Sequence, residues 1–342
     1  MRKLLRHGSC VMVCMLLAVH CPPLMAGEFS LNYERLSSLE EPVATEIGDV
    51  TLVLNGLVDT PVIFDFEEGR EVHADFIGNV QFTARTQLAN RWRTSLMYFG
   101  QYASDRMLAN VPEHEYTDNV AFTVGSYWGT VLVGNVSGIV RESSRRLRGA
   151  GNASLAFDDV YGGLEDDGGG YHVRFGPWIF GAVLDQDENF DVAAIYQRPT
   201  GPRDYRLAVR YTDSRCAPAG SALTLDTRAF SAVGEIIYSS TLWDIGAGYE
   251  ELREGDIEAE RWFVSAGARV KKGVLTLSVE GHYGQIESDD EISGALGVQY
   301  DLARGLSVNL GLNYAEASVN TKGVTLLDTK EKQATLSIRY SY

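Results

Sequence analysis

The chain has 342 residues, with 30 Lys and Arg against 46 Asp and Glu, a formal charge of −16 at pH 7. That balance argues against nucleic acid as a partner, because phosphate binding needs a basic face. No segment approaches 18 consecutive apolar residues, so no helix of the required length of about 20 residues crosses a bilayer. A membrane protein of this sequence must cross as a closed β-barrel, since only closure leaves no backbone group unsatisfied in lipid.

The first 26 residues read as a secretory signal. Arg2, Lys3 and Arg6 precede the nine apolar residues Val11 to Val19, and Leu24-Met25-Ala26 offers a small-residue cleavage point before Gly27. Residues 27–342 are then one domain with 27 basic and 46 acidic side chains, a formal −19. Cys10, Cys14 and Cys21 leave with the signal, so Cys216 has no intrachain partner.

From residue 48 onward the dominant pattern is period two. Leu306, Val308, Leu310, Leu312 and Tyr314 interleave with Ser307, Asn309, Gly311 and Asn313. Successive strand residues face opposite sides, so one face is apolar and the other small and polar. The same alternation recurs at Tyr205 to Tyr211 and at Leu275 to Tyr283, while Met97 and Phe99 break the polar face of the strand near 92–104. In chain order the pattern predicts strands at 48–59, 72–87, 92–104, 118–127, 129–137, 169–175, 178–184, 190–197, 204–213, 227–239, 241–252, 260–271, 273–287, 291–301, 305–318 and 330–342. A further alternating piece, 28–36, is either part of the first strand or a short inner element. Many of these strands run about 10–15 residues, longer than the usual 5–6 of globular proteins. Every second connection is tight, and the others (60–71, 105–117, 138–168, 214–226 and 319–329) are expected to be longer loops. The expected fold is all-β, a transmembrane antiparallel up-and-down barrel of about 16 strands.

The last strand carries the sharpest local motif. Ala334, Leu336, Ile338, Tyr340 and Tyr342 alternate with polar residues up to the carboxyl terminus. Leu336, Ile338, Tyr340 and Tyr342 look like the C-terminal assembly signal by which outer-membrane barrels reach their insertion machinery. Trp128-Gly129-Thr130-Val131-Leu132-Val133-Gly134-Asn135-Val136-Ser137-Gly138 runs into a long Gly-, Ala- and Asp-rich segment ending near Gly170. With this stretch, the strand order and the terminal motif, the chain resembles the general porins of Gram-negative bacteria. The stretch is similar to their fifth strand and the third loop that folds inward to narrow the channel.

The resemblance implies passive diffusion of small hydrophilic solutes and ions, export through the periplasm to the outer membrane, contact with its lipid and lipopolysaccharide, and a homotrimer. It also implies that loop acids face wall arginines across the narrowest point. The loop offers Glu142, Asp158, Asp159, Glu165, Asp166 and Asp167, and inward strand positions carry Arg85, Arg93, Arg174, Arg206, Arg210, Arg269 and Arg339. Arg suits such a wall because it stays charged and holds a fixed planar fork. Arg141, Arg145, Arg146 and Arg148 make the loop more than an acidic one. Two rival classes are a substrate-specific outer-membrane channel and an outer-membrane barrel enzyme. For the first, inward Tyr or Trp rows would signal sugar and dense Lys phosphate, and neither stands out; for the second, only His73, His114, His172 and His282 remain after the signal, and His172 and His282, on inward faces, have no serine or acid in a recognisable spacing. No cofactor and no metal site is expected, and the protein is read as no enzyme.

Overall fold

The computed structural model describes residues 43–66, 72–105, 113–136, 139–147, 149–164, 167–199, 203–216, 224–254, 257–321 and 324–342. The expected signal, 1–26, and the alternating piece 28–36 lie outside them. In chain order the strands are β1 (Val43–Ile47), β2 (Val50–Asp65), β3 (Val72–Ala74), β4 (Phe76–Gln87), β5 (Arg93–Asp105), β6 (Glu113–Ser126) and β7 (Gly129–Asn135). One short helix, α1 (Ile139–Ser144), precedes β8 (Asp167–Phe175), β9 (Trp178–Asp185), β10 (Phe190–Pro199), β11 (Arg203–Cys216) and β12 (Leu225–Tyr238). The rest are β13 (Thr241–Glu254), β14 (Ile257–Lys272), β15 (Leu275–Ile286), β16 (Asp289–Ala303), β17 (Leu306–Thr321) and β18 (Val324–Ser341).

Each strand pairs antiparallel with the next, and β18 pairs with β2 from Ser341↔Leu57 to Gln333↔Asp65, which closes the sheet. β3 and β4 both pair with β2 and form one arm interrupted at Asp75, so the cylinder has 16 staves. β1 pairs with Val50 to Leu54 on the edge of β2 that β18 leaves uncovered. It therefore prolongs the lane of β18. At that junction Gly56 and Tyr342 exchange two backbone hydrogen bonds, of 3.0 and 3.1 Å.

Alternation translates directly into two surfaces. Along β17, Leu310 and Leu312 stand outside, 39% and 44% exposed, whereas Asn309, next to Leu310, is fully buried inside. Leu336, Ile338 and Tyr340 of β18 face outward likewise, as do Trp243, Tyr300 and most other large apolar side chains. This inverts a soluble protein: the apolar side chains are the exposed ones, as lipid requires.

The sixteen staves coincide with the sixteen strands expected, but the loops differ. β2 runs to Asp65, β5 to Asp105, β11 to Cys216, and only residues 322–323 separate β17 from β18. The expected loops 60–71, 105–117 and 214–226 are therefore strand at one or both ends, and 319–329 is strand at all but residues 322–323, which lie outside the described residues. The physical reason is that ladder hydrogen bonds are made by backbone, so pairing continues where side chains turn polar. One connection, 136–166, is long, and it shapes the barrel's interior.

Replacing Leu310 by Arg is expected to lower the barrel's stability by about 2–4 kcal/mol. Reversible urea unfolding in lipid vesicles measures this, with Asn313→Arg on the inner face as the comparison that costs less.

Candidate functional site

Eight connections, all short, lie at the rim shared with the carboxyl terminus, here the turn rim, and residues 136–166 leave from the opposite rim and enter the barrel. α1 docks first, against β9, β10 and β11. Its Val140, with Leu164 at the far end of the segment, packs on Met97, Ala121, Leu132, Val183 and Ala193, and Phe99 borders that cluster. Met97 and Phe99, which break the inward polar pattern of β5, are thus part of the seat of the inserted segment.

From α1 the segment runs along the inner wall to β18 and back. Outbound, Arg206 of β11 donates to the carbonyls of Ser143 and Arg145 at 2.6 and 3.0 Å while pairing with Glu235 of β12 at 2.7 Å. Leu147 N donates to the same Glu235, and Ala150 N to Ser278 Oγ at 2.8 Å. At the tip, Asn152 donates to Ser337 Oγ at 3.0 Å and accepts from Arg339, which pairs with Asp59 at 2.6 Å. On the return, Ala156 O accepts from Ser293, and Arg261 donates to the carbonyls of Phe157 and Asp159. Arg210 then donates to Gly162 O at 2.6 Å.

Glycines make room for this path. Gly297 of β16 and Gly311 of β17 are register partners facing inward. A Cβ on the first would lie 2.0 Å from Ala150 O, and on the second 2.1 Å from Asn152 O. Loop backbone rests directly on wall backbone there, and no other residue fits. The tip residue Gly151 adopts φ +61°, with the carbonyl of Val298 2.3 Å from where its Cβ would stand.

Three buried arginines fasten the segment electrostatically. Arg146, on the loop and 1% exposed, meets the wall acids Asp244 and Glu280 and the loop's own Asp158 at 3.5 Å. Arg210, on the wall, pairs with Asp191 at 3.0 Å and Asp159 at 3.6 Å. Arg261 bonds Glu250 and, at 2.7 Å, Glu291, with the Tyr161 ring 4.2 Å from its guanidinium carbon and Tyr161 Oη donating to Glu291 at 2.5 Å. A buried charge is tolerable only when paired and hydrogen-bonded in this way. Two loop carboxylates respond differently. Burial would raise Asp159, but Arg141 at 2.8 Å and Arg210 override it and hold the carboxyl below its ordinary range. Burial raises Asp158 despite Arg146, although a third of its side chain opens to the lumen. Asp159 therefore stabilises the loop at all pH above the ordinary carboxylate range and loses this only as pH falls below it, whereas Asp158 takes up a proton first.

The expected site residues divide accordingly. Glu142 pairs with Arg145 within the loop, and Asp158 and Asp159 pair as above. Glu165 and Asp166 lie outside the described residues, as does Arg148, and Asp167 is an exposed residue opening β8. Arg206, Arg210 and Arg339 hold the inserted segment, and Arg269 stands inward opposite Ser278. Arg85, Arg93 and Arg174 occupy inward positions near the turn rim on the arc β4 to β8, where the two ends of the segment pack on Met97, Ala121 and Leu132. Sequence reasoning missed the wall acids Asp191, Glu235, Asp244, Glu250, Glu280 and Glu291. Their signal was present, as acids at inward positions of strands that otherwise carry small residues.

No protein-family model and no curated protein sequence matches the chain. Among solved structures it is similar to OmpT, an outer membrane protein of Vibrio cholerae folded in vitro, in its trimer form. The identity is 15%, covering 86% of this chain and 99% of that one, with a TM-score of 0.65. It is also similar to the anion-selective porin from Comamonas acidovorans (12% identity, 86% and 100% covered, TM-score 0.63). A triple mutant of Rhodopseudomonas blastica porin matches at 14% identity, 85% and 100% covered, TM-score 0.53. At such identities the likeness is one of fold: the chain has the closed 16-strand barrel of Gram-negative porins.

Arg261→Ala strips Glu250 and Glu291 of their partner and is expected to cost about 3–5 kcal/mol, measured by urea unfolding. Gly311→Leu is expected to leave the barrel closed but lift the loop tip, read as faster proteolysis within 145–164.

Proposed function

We propose that this protein is an outer-membrane channel through which small hydrophilic solutes and ions diffuse passively. Its turn rim faces the periplasm. The observation that carries this reading is the inversion of surfaces, apolar outside and charged within, in a barrel whose one long connection lines the wall instead of capping the mouth. Sixteen staves enclose a lumen wide enough to hold water after a loop is folded in.

Chemically, the interior offers fixed charges that solvate ions and polar solutes and give apolar ones nothing. Most charges on the loop side pair with each other, so they set shape more than selectivity. Selectivity falls to the arc β2 to β8, where Arg85, Arg93 and Arg174 stand near the periplasmic rim and no acid occupies a described inward position of that half of these strands. That arrangement favours anions there, against the acidic balance of the whole chain. The acids Glu142, Asp158 and Asp159 act chiefly by holding the loop. A homotrimer is the assembly of this reading, supported by the trimer form of the Vibrio cholerae protein of like fold. Delivery by a signal at 1–26 and insertion through Leu336, Ile338, Tyr340 and Tyr342 complete it, in a membrane of lipid and lipopolysaccharide.

Single-channel recording in planar bilayers tests the proposal: stepwise ohmic conductance is expected, and insertion without current would defeat it. Replacing Arg85, Arg93 and Arg174 by Gln together is expected to move the reversal potential in a KCl gradient toward cation preference. An unchanged potential would remove these residues from the conducting path.

A further inference from the structure

Under the return limb of the inserted segment, the inner wall holds polar atoms with no hydrogen-bond partner among the described residues. They are Nδ1 and Nε2 of His282 on β15 and Oγ of Ser265, its register partner on β14. The imidazole is sealed in. Its side chain is 0% exposed, with the ring of Phe263 at 5.4 Å and that of the loop's Phe157 at 6.1 Å. Glu291 of β16 stands nearest among the charged groups, its Oε2 3.8 Å from Nε2, too far for a hydrogen bond. Gly284, across the ladder from Glu291, leaves room for that carboxylate, since a Cβ there would lie 2.9 Å from it.

The charged and titratable groups facing His282 come from every element around it. They are Glu291 from β16, Arg261 from β14 with Glu250 of β13 behind it, Glu280 two residues back along β15, and Asp158 and Tyr161 from the segment. Arg261 takes Glu250 and Glu291, and Arg146 takes Glu280 and Asp158. Beyond Glu280 come Asp244 and Arg269, one of each sign. Four carboxylates therefore share two guanidinium groups, and a neutral imidazole leaves the negative surplus standing. A buried unpaired N–H and a buried unpaired charge are both costly, and one proton on His282 relieves both.

We propose that His282 is a proton-operated latch for the inserted segment. Protonated, the imidazole donates Nε2–H to Glu291 and Nδ1–H to Ser265 Oγ, which ties β14, β15 and β16 together beneath the loop. It also presents a cation to the Phe157 ring and to Asp158. Glu291 accepts from Tyr161 Oη as well, so the same proton steadies both Phe157 and Tyr161. Neutral, the ring loses one donor and its charge, and the return limb lifts more readily. Imidazole is the side chain that changes charge between about pH 5 and 8. The docked segment completes the ring of carboxylates that favours the charged form, so by linkage mild acid favours docking and the hold is lost as pH rises. Protonating a carboxylate of the cluster acts the other way, because it removes an ion pair. Asp158, which burial makes readier to take up a proton, would loosen the segment in acid. The sign of the pH dependence thus separates imidazole from carboxylates. The latch concerns docking of the segment and stands whether or not the barrel conducts.

The test is limited thermolysin digestion of the folded protein in detergent at about pH 5.5 and about pH 7.5, on either side of the ordinary imidazole range. Each rate is normalised to that of a free peptide of residues 153–164. Cleavage within that stretch is expected to be roughly tenfold slower in acid, the factor that one pH unit of coupling gives. His282→Gln keeps a polar side chain but takes up no proton, and it is expected to level the two rates. Asp158→Asn removes the opposing carboxylate and is expected to keep or widen the difference. Equal or reversed rates in the unaltered protein, or an undiminished difference in His282→Gln, would overturn the latch. If His282→Gln yields no folded barrel, the comparison of the unaltered protein with Asp158→Asn decides: loss of the difference in Asp158→Asn overturns the proposal, and its persistence supports it.

Discussion

Every part of this molecule depends on the closure of one hydrogen-bonded ladder. In lipid no water reaches the backbone, so each N–H and C=O must find its partner within the sheet. The seam between β18 and β2 is where that condition is met last, by strands separated by nearly the whole chain. β18 alone does not cover β2. The strip it leaves bare, Val50 to Leu54, is taken by β1, and the exchange of two hydrogen bonds between Gly56 and Tyr342 joins the two stretches. The Tyr342 ring lies over Gly56 on the outer surface, where any Cβ would meet its hydroxyl at 2.8 Å. The terminal aromatic residue is thus part of the seam as well as of the outer girdle.

Once the wall is closed, its interior has to hold a loop in place without an apolar core. The solution combines three interactions of different kind. Apolar contacts anchor the two ends of the segment beside Met97 and Leu132, glycines admit its tip against β16 and β17, and paired charges fix what lies between. The polarity of those pairs is informative. Wall acids hold the loop's Arg146, while wall Arg210 and Arg261 hold the loop's Asp159 and its carbonyls. Charges are interdigitated instead of opposed across the lumen, so their fields largely cancel at a distance. The inserted segment then fixes the cross-section of the pore mainly by its bulk.

The fold was legible in the sequence because side-chain alternation is a direct image of a wall with lipid on one face. Sixteen strands could be read off to within a few residues at most ends. Loop lengths were not, because strand pairing above the membrane depends on backbone alone and leaves no apolar signature, as the polar ends of β17 and β18 illustrate. The site was legible in part. Arg85, Arg93 and Arg174 lie where alternation put them. The partnership of Arg146 with Asp244, or of Arg261 with Glu250 and Glu291, depends on a segment folding back across eight strands, and no local pattern encodes that path. Gly297 and Gly311 illustrate the difficulty: each looks like one more small inward residue until the loop backbone is laid upon it.

Departures from the pattern carried more information than the pattern. A strand that faces water on its inner side has no reason to place Met97 and Phe99 there unless something covers them. Met97 is covered by Val140 of α1, and Phe99 is covered only in part. The same reasoning applies to charge. An inner wall lined by arginines near the turn rim and by uncharged side chains farther along β4 to β6 is graded along the barrel axis, so fixed charge and neutral polar groups stand at different depths.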